Sequence, residues 1–194
     1  MTKVDLTFKS DPEKVQFGKN ACLLLEFIIN KQSFQNRVLN GNFSGRSFRQ
    51  DDGTMITADN RYILQQIMTG KELGTPADNI IALTVEIEKL GRKIVGRVKP
   101  PDPLITTNST FFNYWFKKGD TLSLAAHWIH EWLHVSGFRH AGSDPDKKDV
   151  SYLIGIFAVE TGREPLILFG VDFYTKQGQG YLDAYDIQEE NEPN

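Results

Sequence analysis

Apolar residues recur along this chain with two different periods, and the switches between them mark out the elements. Behind Asp11 and Pro12, residues Phe17, Ala21, Leu24, Leu25 and Ile28 follow the 3.6-residue spacing of a helix with one buried face. Asp11 suits the cap of that helix, and Pro12 its first position, where an N–H has no partner to lose. Residues 40–54 are rich in turn formers and read as irregular or hairpin-like. A second helix over 59–69 sets Ile63, Leu64, Ile67 and Met68 on one face and stops near Gly70. The period then changes to two. Ile81, Leu83, Val85 and Ile87 alternate with Ala82, Thr84, Glu86 and Glu88, which predicts a half-buried strand. Gly91 turns the chain into a short strand over 94–98. Pro100, Pro101 and Pro103 argue against a central strand there and leave Leu104–Asn108 as an edge strand.

The next stretch differs from all of these. Gly119 and Asp120 open a helix over 121–135 that is apolar nearly all round, with Leu122, Leu124, Ala125, Ala126, Trp128, Ile129, Trp132, Leu133 and Val135. A helix without a polar face belongs in the middle of a protein. Its polar side chains, His127, His130, Glu131 and His134, therefore need a reason to be there. After a polar loop at 141–149, residues 150–160 predict a last helix that ends at Gly162. Residues 166–174 and 181–187 read as a terminal hairpin, followed by a disordered tail at 189–194.

Composition narrows the function classes. The chain has 194 residues, 40% hydrophobic and 24% charged, with a net charge of −3. That is an ordinary globular composition, long enough for one domain over 1–194 and without the basic face that nucleic acid demands. No apolar run reaches the roughly 18 residues of a membrane span, and no signal peptide is recognisable at the start. Compartment stays open, because a secreted or periplasmic protein whose leader has been removed looks the same. Cys22 is the only cysteine, so no internal disulfide or cysteine-based metal cluster forms, and its apolar setting predicts a buried, inert thiol.

The chemistry concentrates in His130-Glu131-Trp132-Leu133-His134-Val135-Ser136-Gly137-Phe138-Arg139-His140. Positions four apart on a helix differ by about 40° in direction, so His130 and His134 project from one side, one turn apart. Glu131, rotated by about 100°, stands beside a shared cation without ligating it, where a base acting on water belongs. Gly137 tolerates the left-handed backbone that ends a helix and lets the chain bring His140 back to the same point. Three histidines leave one position open, the arrangement of a catalytic rather than a structural zinc site. His127, one turn earlier, reads as a buried or supporting histidine outside the ligand set.

His-Glu-x-x-His-x-x-Gly-x-x-His resembles the zinc signature of the metzincin clan of metallopeptidases, here a compact, divergent bacterial-type member. The match covers 130–140, and its surroundings are similar in order. The resemblance implies an α+β domain: a backing helix, a small mixed sheet with an antiparallel edge strand, a central zinc helix and a C-terminal helix, beside the hairpin read above. The clan's methionine turn is missing, since no methionine follows Met68. Val150 takes the methionine's place as hydrophobic floor, and Tyr152 takes that of the turn tyrosine, a fifth ligand or a phenol donor to the oxyanion.

The function this resemblance implies is endopeptidase action on peptide or protein substrates with one catalytic Zn2+. Glu131 would serve as general base, and an edge strand around Leu104–Asn108 would hold the substrate. Residues near Leu153 and Ile154 would line the specificity pocket. Two other readings stand beside it: a zinc-binding interaction or inhibitory module without catalysis, and a zinc amidase acting on a cell-wall-type substrate.

Overall fold

The computed structural model describes residues 1–99, 102–140, 148–167 and 177–189. In chain order these hold β1 (Lys3–Phe8), α1 (Pro12–Ile29), α2 (Gln32–Leu39), β2 (Ser47–Arg49), β3 (Met55–Thr57), α3 (Asn60–Thr69) and β4 (Ile80–Glu88). There follow β5 (Gly96–Val98), β6 (Leu104–Asn108), α4 (Ser109–Lys118), α5 (Thr121–Ser136), α6 (Val150–Ile167) and α7 (Gln179–Glu189). Among the described residues, seven helices and a small mixed sheet make this an α+β protein, as expected.

The helix ends follow their side chains. Asp11 accepts from the Lys14 amide and caps α1, with Pro12 in the first turn. Asp59 caps α3 in the same way through the Tyr62 amide, and Gly70 ends that helix in the left-handed conformation. Cys22 lies buried in α1 with its thiol pushed up to about 12, first by burial and then by the nearby Asp5 charge, which keeps it an inert thiol.

The main sheet has the order β1-β4-β6-β5. Strands β1, β4 and β6 run parallel, Val4 facing Ile81 and Val85 facing Ile105, while β5 pairs antiparallel with β6. The antiparallel edge strand is therefore present, but it is β5. Leu104–Asn108 is an interior strand, contrary to the sequence reading. The prolines precede it rather than interrupt it, so none removes a ladder N–H, and Ile105 through Asn108 are all buried.

Helix α5 packs against α1 and α6 and against strands β4, β5 and β6, and nearly every one of its residues is buried. Each buried Leu or Ile contributes about 1.5–3 kcal/mol. Asp120 caps α5 through the Ser123 amide at 3.0 Å and the Ser123 hydroxyl at 2.6 Å. The same carboxylate accepts the Gly178 amide at 2.8 Å, and Ser123 Oγ accepts the Tyr181 amide at 2.8 Å. One cap thus fixes the start of α7 against the start of α5.

That docking overturns the terminal hairpin. Residues 181–187 lie inside α7, and 166–167 close α6, while 168–174 fall outside the described residues. Tyr181, Leu182, Ala184 and Tyr185 have helical spacing and turn inward, and Gln179 bonds Asp183 one turn on at 2.8 Å on the exposed side. Helix α6 also runs past Gly162 to Ile167. Gly162 is a contact point rather than a stop, because a Cβ there would meet Leu122 at 2.5 Å. Three further elements, β1, α2 and α4, escaped the periodicities read above. Residues 141–147 of the expected polar loop and 190–194 of the expected tail lie outside the described residues, and Glu189 of that expected tail ends α7. No helix among the described residues is long and apolar enough to cross a membrane.

Candidate metal centre

His130 and His134 project from the same side of α5, and the chain after it delivers His140. The turn depends on Gly137, whose φ of 123° is a value that side-chain-bearing residues rarely adopt. A Cβ at Gly137 would also press on the Arg49 carbonyl at 2.5 Å. One ring nitrogen from each of the three histidines lies within 4.8 Å of the others, close enough to hold one metal ion.

The hydrogen bonds assign which nitrogen is free. His134 Nδ1 lies 3.0 Å from the Phe138 carbonyl and must donate to it. His140 Nδ1 lies 3.2 Å from Asp149 Oδ2 and donates likewise. His130 Nδ1 meets the Tyr181 hydroxyl at 3.2 Å, and that hydroxyl donates to the Tyr152 carbonyl at 3.4 Å, so it accepts from the histidine. In all three rings the Nδ1 side carries the proton, leaving an Nε2 lone pair for a cation. Three neutral imidazoles held this way suit a divalent transition-metal ion.

Burial supports the same protonation states. It holds His134 down at about 3, helped by the neighbouring His140 and Arg139, and His130 well below its ordinary range, with the other three histidines adding to the effect. His140 is lowered by burial against the opposing pull of Asp149. All three are neutral at pH 7 and need lose no proton to bind a metal.

Glu131 is 3% exposed and lines the same cleft, its carboxyl raised to about 8 by burial. Its Oε1 lies 3.8 Å from His127 Nδ1, but with His127 held at about 3 by burial the two are not an ion pair at neutral pH. His127 instead bridges Thr107 Oγ1 at 3.1 Å and Tyr185 Oη at 2.9 Å, outside the ligand cluster. Gly96 of β5 allows this crowding. A Cβ there would overlap His127 and stand 2.7 Å from Glu131 Oε1.

The cleft, about 350 Å³, is lined by Gly96, Arg97 and Val98 of β5 together with His130, Glu131, His134, Arg139, His140, Tyr152 and Tyr185. The edge strand beside the histidines is thus β5 and not Leu104–Asn108. Leu153 and Ile154 do not line the cleft, and Ile154 is fully buried in the core. Val150 is buried too. The Tyr152 ring lies 4.7 Å from that of His130 and 5.0 Å from that of His140.

Two tyrosines join the site that the sequence reading missed. Tyr185 stacks on His130, ring centroids 4.8 Å apart and planes 24° apart, and Tyr181 orients the same imidazole. Asp149, which orients His140, was also unassigned. The i,i+4 spacing of Tyr181 and Tyr185 is the signal that could have found the first two, once 179–189 is read as a helix.

Stability of the metal-free protein should record these burials. The unfolded chain binds protons at its imidazoles near 6.5, whereas folded His127 and His134 resist protonation until about 3. Stability is therefore complete above about 6.5 with respect to the histidines and falls as pH drops toward 3. Glu131 acts with the opposite sign: unfolded it ionises near 4.5, folded near 8, so its contribution falls as pH rises between those values. Between 4.5 and 6.5 the several histidines outweigh the single glutamate. Thermal melts of the metal-free protein should peak near pH 6.5, and Glu131→Gln should remove the decline between 6.5 and 8 alone. A wild-type profile that is flat from pH 6.5 to 8 would contradict the buried, protonated Glu131.

No protein-family model matches this chain, and neither a curated protein nor a solved structure matches it. The metzincin resemblance accordingly rests on residues 130–140 and their surroundings.

Proposed function

We propose that this protein is a zinc-dependent endopeptidase of metzincin type. One observation carries the reading: three imidazoles with their Nε2 atoms free converge beside a buried carboxyl, Glu131, in a cleft bordered by an edge strand. A structural metal site has no use for an acid at that point, whereas hydrolysis needs one.

When bound, zinc supplies a Lewis acid that polarises a carbonyl and acidifies water. His130, His134 and His140 hold the ion, each oriented by its Nδ1 partner. Glu131 takes the proton of the attacking water and returns it to the leaving nitrogen. Burial raises its proton affinity in the metal-free protein, and a cation held by the three histidines beside it would favour the ionised form that the transfer needs. An extended substrate lies along β5, whose outer edge has no partner strand among the described residues, and main-chain hydrogen bonds fix its register.

Tyr152 serves in this reading as a phenol donor to the developing oxyanion. Tyr152→Phe should lower kcat by roughly 10–10³-fold with little change in KM, since the bond forms chiefly in the transition state. Steady-state kinetics on one peptide decide this, and an unchanged kcat would make Tyr152 a packing residue. The experiment for the function as a whole is a peptide-library digest by zinc-reconstituted protein, repeated after chelation. Internal cleavage that chelation abolishes and zinc restores is expected. No cleavage of any peptide by zinc-loaded protein would refute it.

A further inference from the structure

Two guanidinium groups are placed on one face by the short pairing of β2 with the chain that follows α5. Phe48 and Phe138 are bridge partners. The Arg49 amide donates to the Gly137 carbonyl at 2.9 Å, and the Arg139 amide to the Ser47 carbonyl at 3.0 Å. Side chains alternate across such a pairing. Phe48 and Phe138 turn into the core, their rings 4.9 Å apart, so Arg49 and Arg139 share the opposite face as diagonal neighbours.

Arg139 also forms part of the cleft wall beside His134 and His140. The other arginine of that wall, Arg97, is tied to Glu88 at 3.3 Å. Neither Arg49 nor Arg139 makes an ion pair with a carboxylate of the described residues. Among the described residues, the only carboxyl lining the cleft is Glu131. A guanidinium is always charged, and its planar fork fits a carboxylate through two parallel hydrogen bonds.

We infer that the cleft selects substrates carrying a carboxylate close to the scissile bond, received by Arg139 with Arg49 beside it. The inference rests on the peptidase reading for the identity of the substrate as a peptide. The carboxylate has two sources, an Asp or Glu side chain within the substrate or a free C-terminus.

The test reads binding rather than turnover. Three probes are titrated calorimetrically into zinc-loaded Glu131→Gln protein: acetyl-Ala-Ala-Glu-Ala-Ala-amide, its Gln counterpart, and that Gln peptide with a free C-terminal carboxylate. At least one acidic probe should bind about tenfold tighter than the neutral one, the worth of a charge-assisted contact. Which of the two gains identifies the source. Arg139→Glu should reverse the order and Arg139→Gln should abolish it, with melting curves showing both variants folded. Equal binding of all three probes, or no binding of any, overturns the inference. So does an acid preference that survives in both variants, which would assign it to the metal. A wild type that cleaves no peptide would sink the hydrolase reading without altering this result, and cleavage without acid preference in binding would sink only the inference.

Discussion

Alanine at His130, His134 or His140 should cut zinc affinity by at least about a hundredfold, more than the 10–100-fold typical of losing a group that merely supports a ligand. Each removes one of three donors, and no spare donor belongs to the cluster among the described residues. The three variants should differ in a second property. His130 is 2% exposed and packed against the rings of Tyr152, Tyr181 and Tyr185, so His130→Ala leaves a cavity and should also lower the melting temperature of the metal-free protein. His140 is half-buried, and His140→Ala should lose zinc with a smaller effect on the melt. His127→Ala inverts the pattern. It abandons Thr107 and Tyr185, and should destabilise the fold while one zinc per chain is retained. Competition with a chromogenic chelator measures the affinities, and calorimetric melts the stabilities. Tight zinc binding after loss of any one of the three ligands would show that the ion is held elsewhere.

The second large effect belongs to Glu131. Glu131→Gln preserves shape and removes the base, so peptide hydrolysis should fall by about 10²-fold or more while zinc content is unchanged. The contrast is sharp because Glu131 is not needed as a donor to the ion: the three imidazoles already form the cluster without it. Initial rates and zinc content measured on the same preparations separate the two outcomes. Equal rates in the variant and the wild type would remove Glu131 from the chemistry and favour a binding module. Cleavage confined to cell-wall amides, with peptides untouched, would favour the amidase reading.

What the sequence made legible was local, and what it hid was long-range. The cap at Asp11, the stop at Gly70, the buried α5 and the convergence of His130, His134 and His140 all follow from spacing within a dozen residues, where helical geometry decides. Gly137 was readable for the same reason, since a backbone reversal inside an eleven-residue motif admits few other residues. The partners of those histidines were not readable. Asp149 reaches His140 from nine residues away, and Tyr181 reaches His130 from 51 residues away. Such contacts are set by packing.

The errors have equally specific causes. In 181–187, Tyr181, Asp183 and Tyr185 fit a period of two and the glycines before them suggest a hairpin turn, although Tyr181, Leu182, Ala184 and Tyr185 fit a helix equally well. Those glycines are there so that Gly178 and Gly180 can approach Asp120 at the cap of α5. Leu104–Asn108 was assigned to an edge because prolines stand near it, although proline excludes only the strand positions it occupies. Val4, Leu6 and Phe8 alternate as a strand should, but six residues at a chain start carry little weight without the parallel partner that β4 provides.

The central claim is that three imidazoles hold one zinc ion and leave it a position open toward Glu131. X-ray absorption at the zinc edge, on protein reconstituted to one zinc per chain, tests this most directly. The expected first shell is three imidazole nitrogens at about 2.0–2.1 Å with one further light-atom ligand, and two imidazoles only in His140→Ala. A fourth imidazole would bring His127 into the shell and close the site, and sulfur scattering at about 2.3 Å would move the metal to Cys22. Either result would contradict the account.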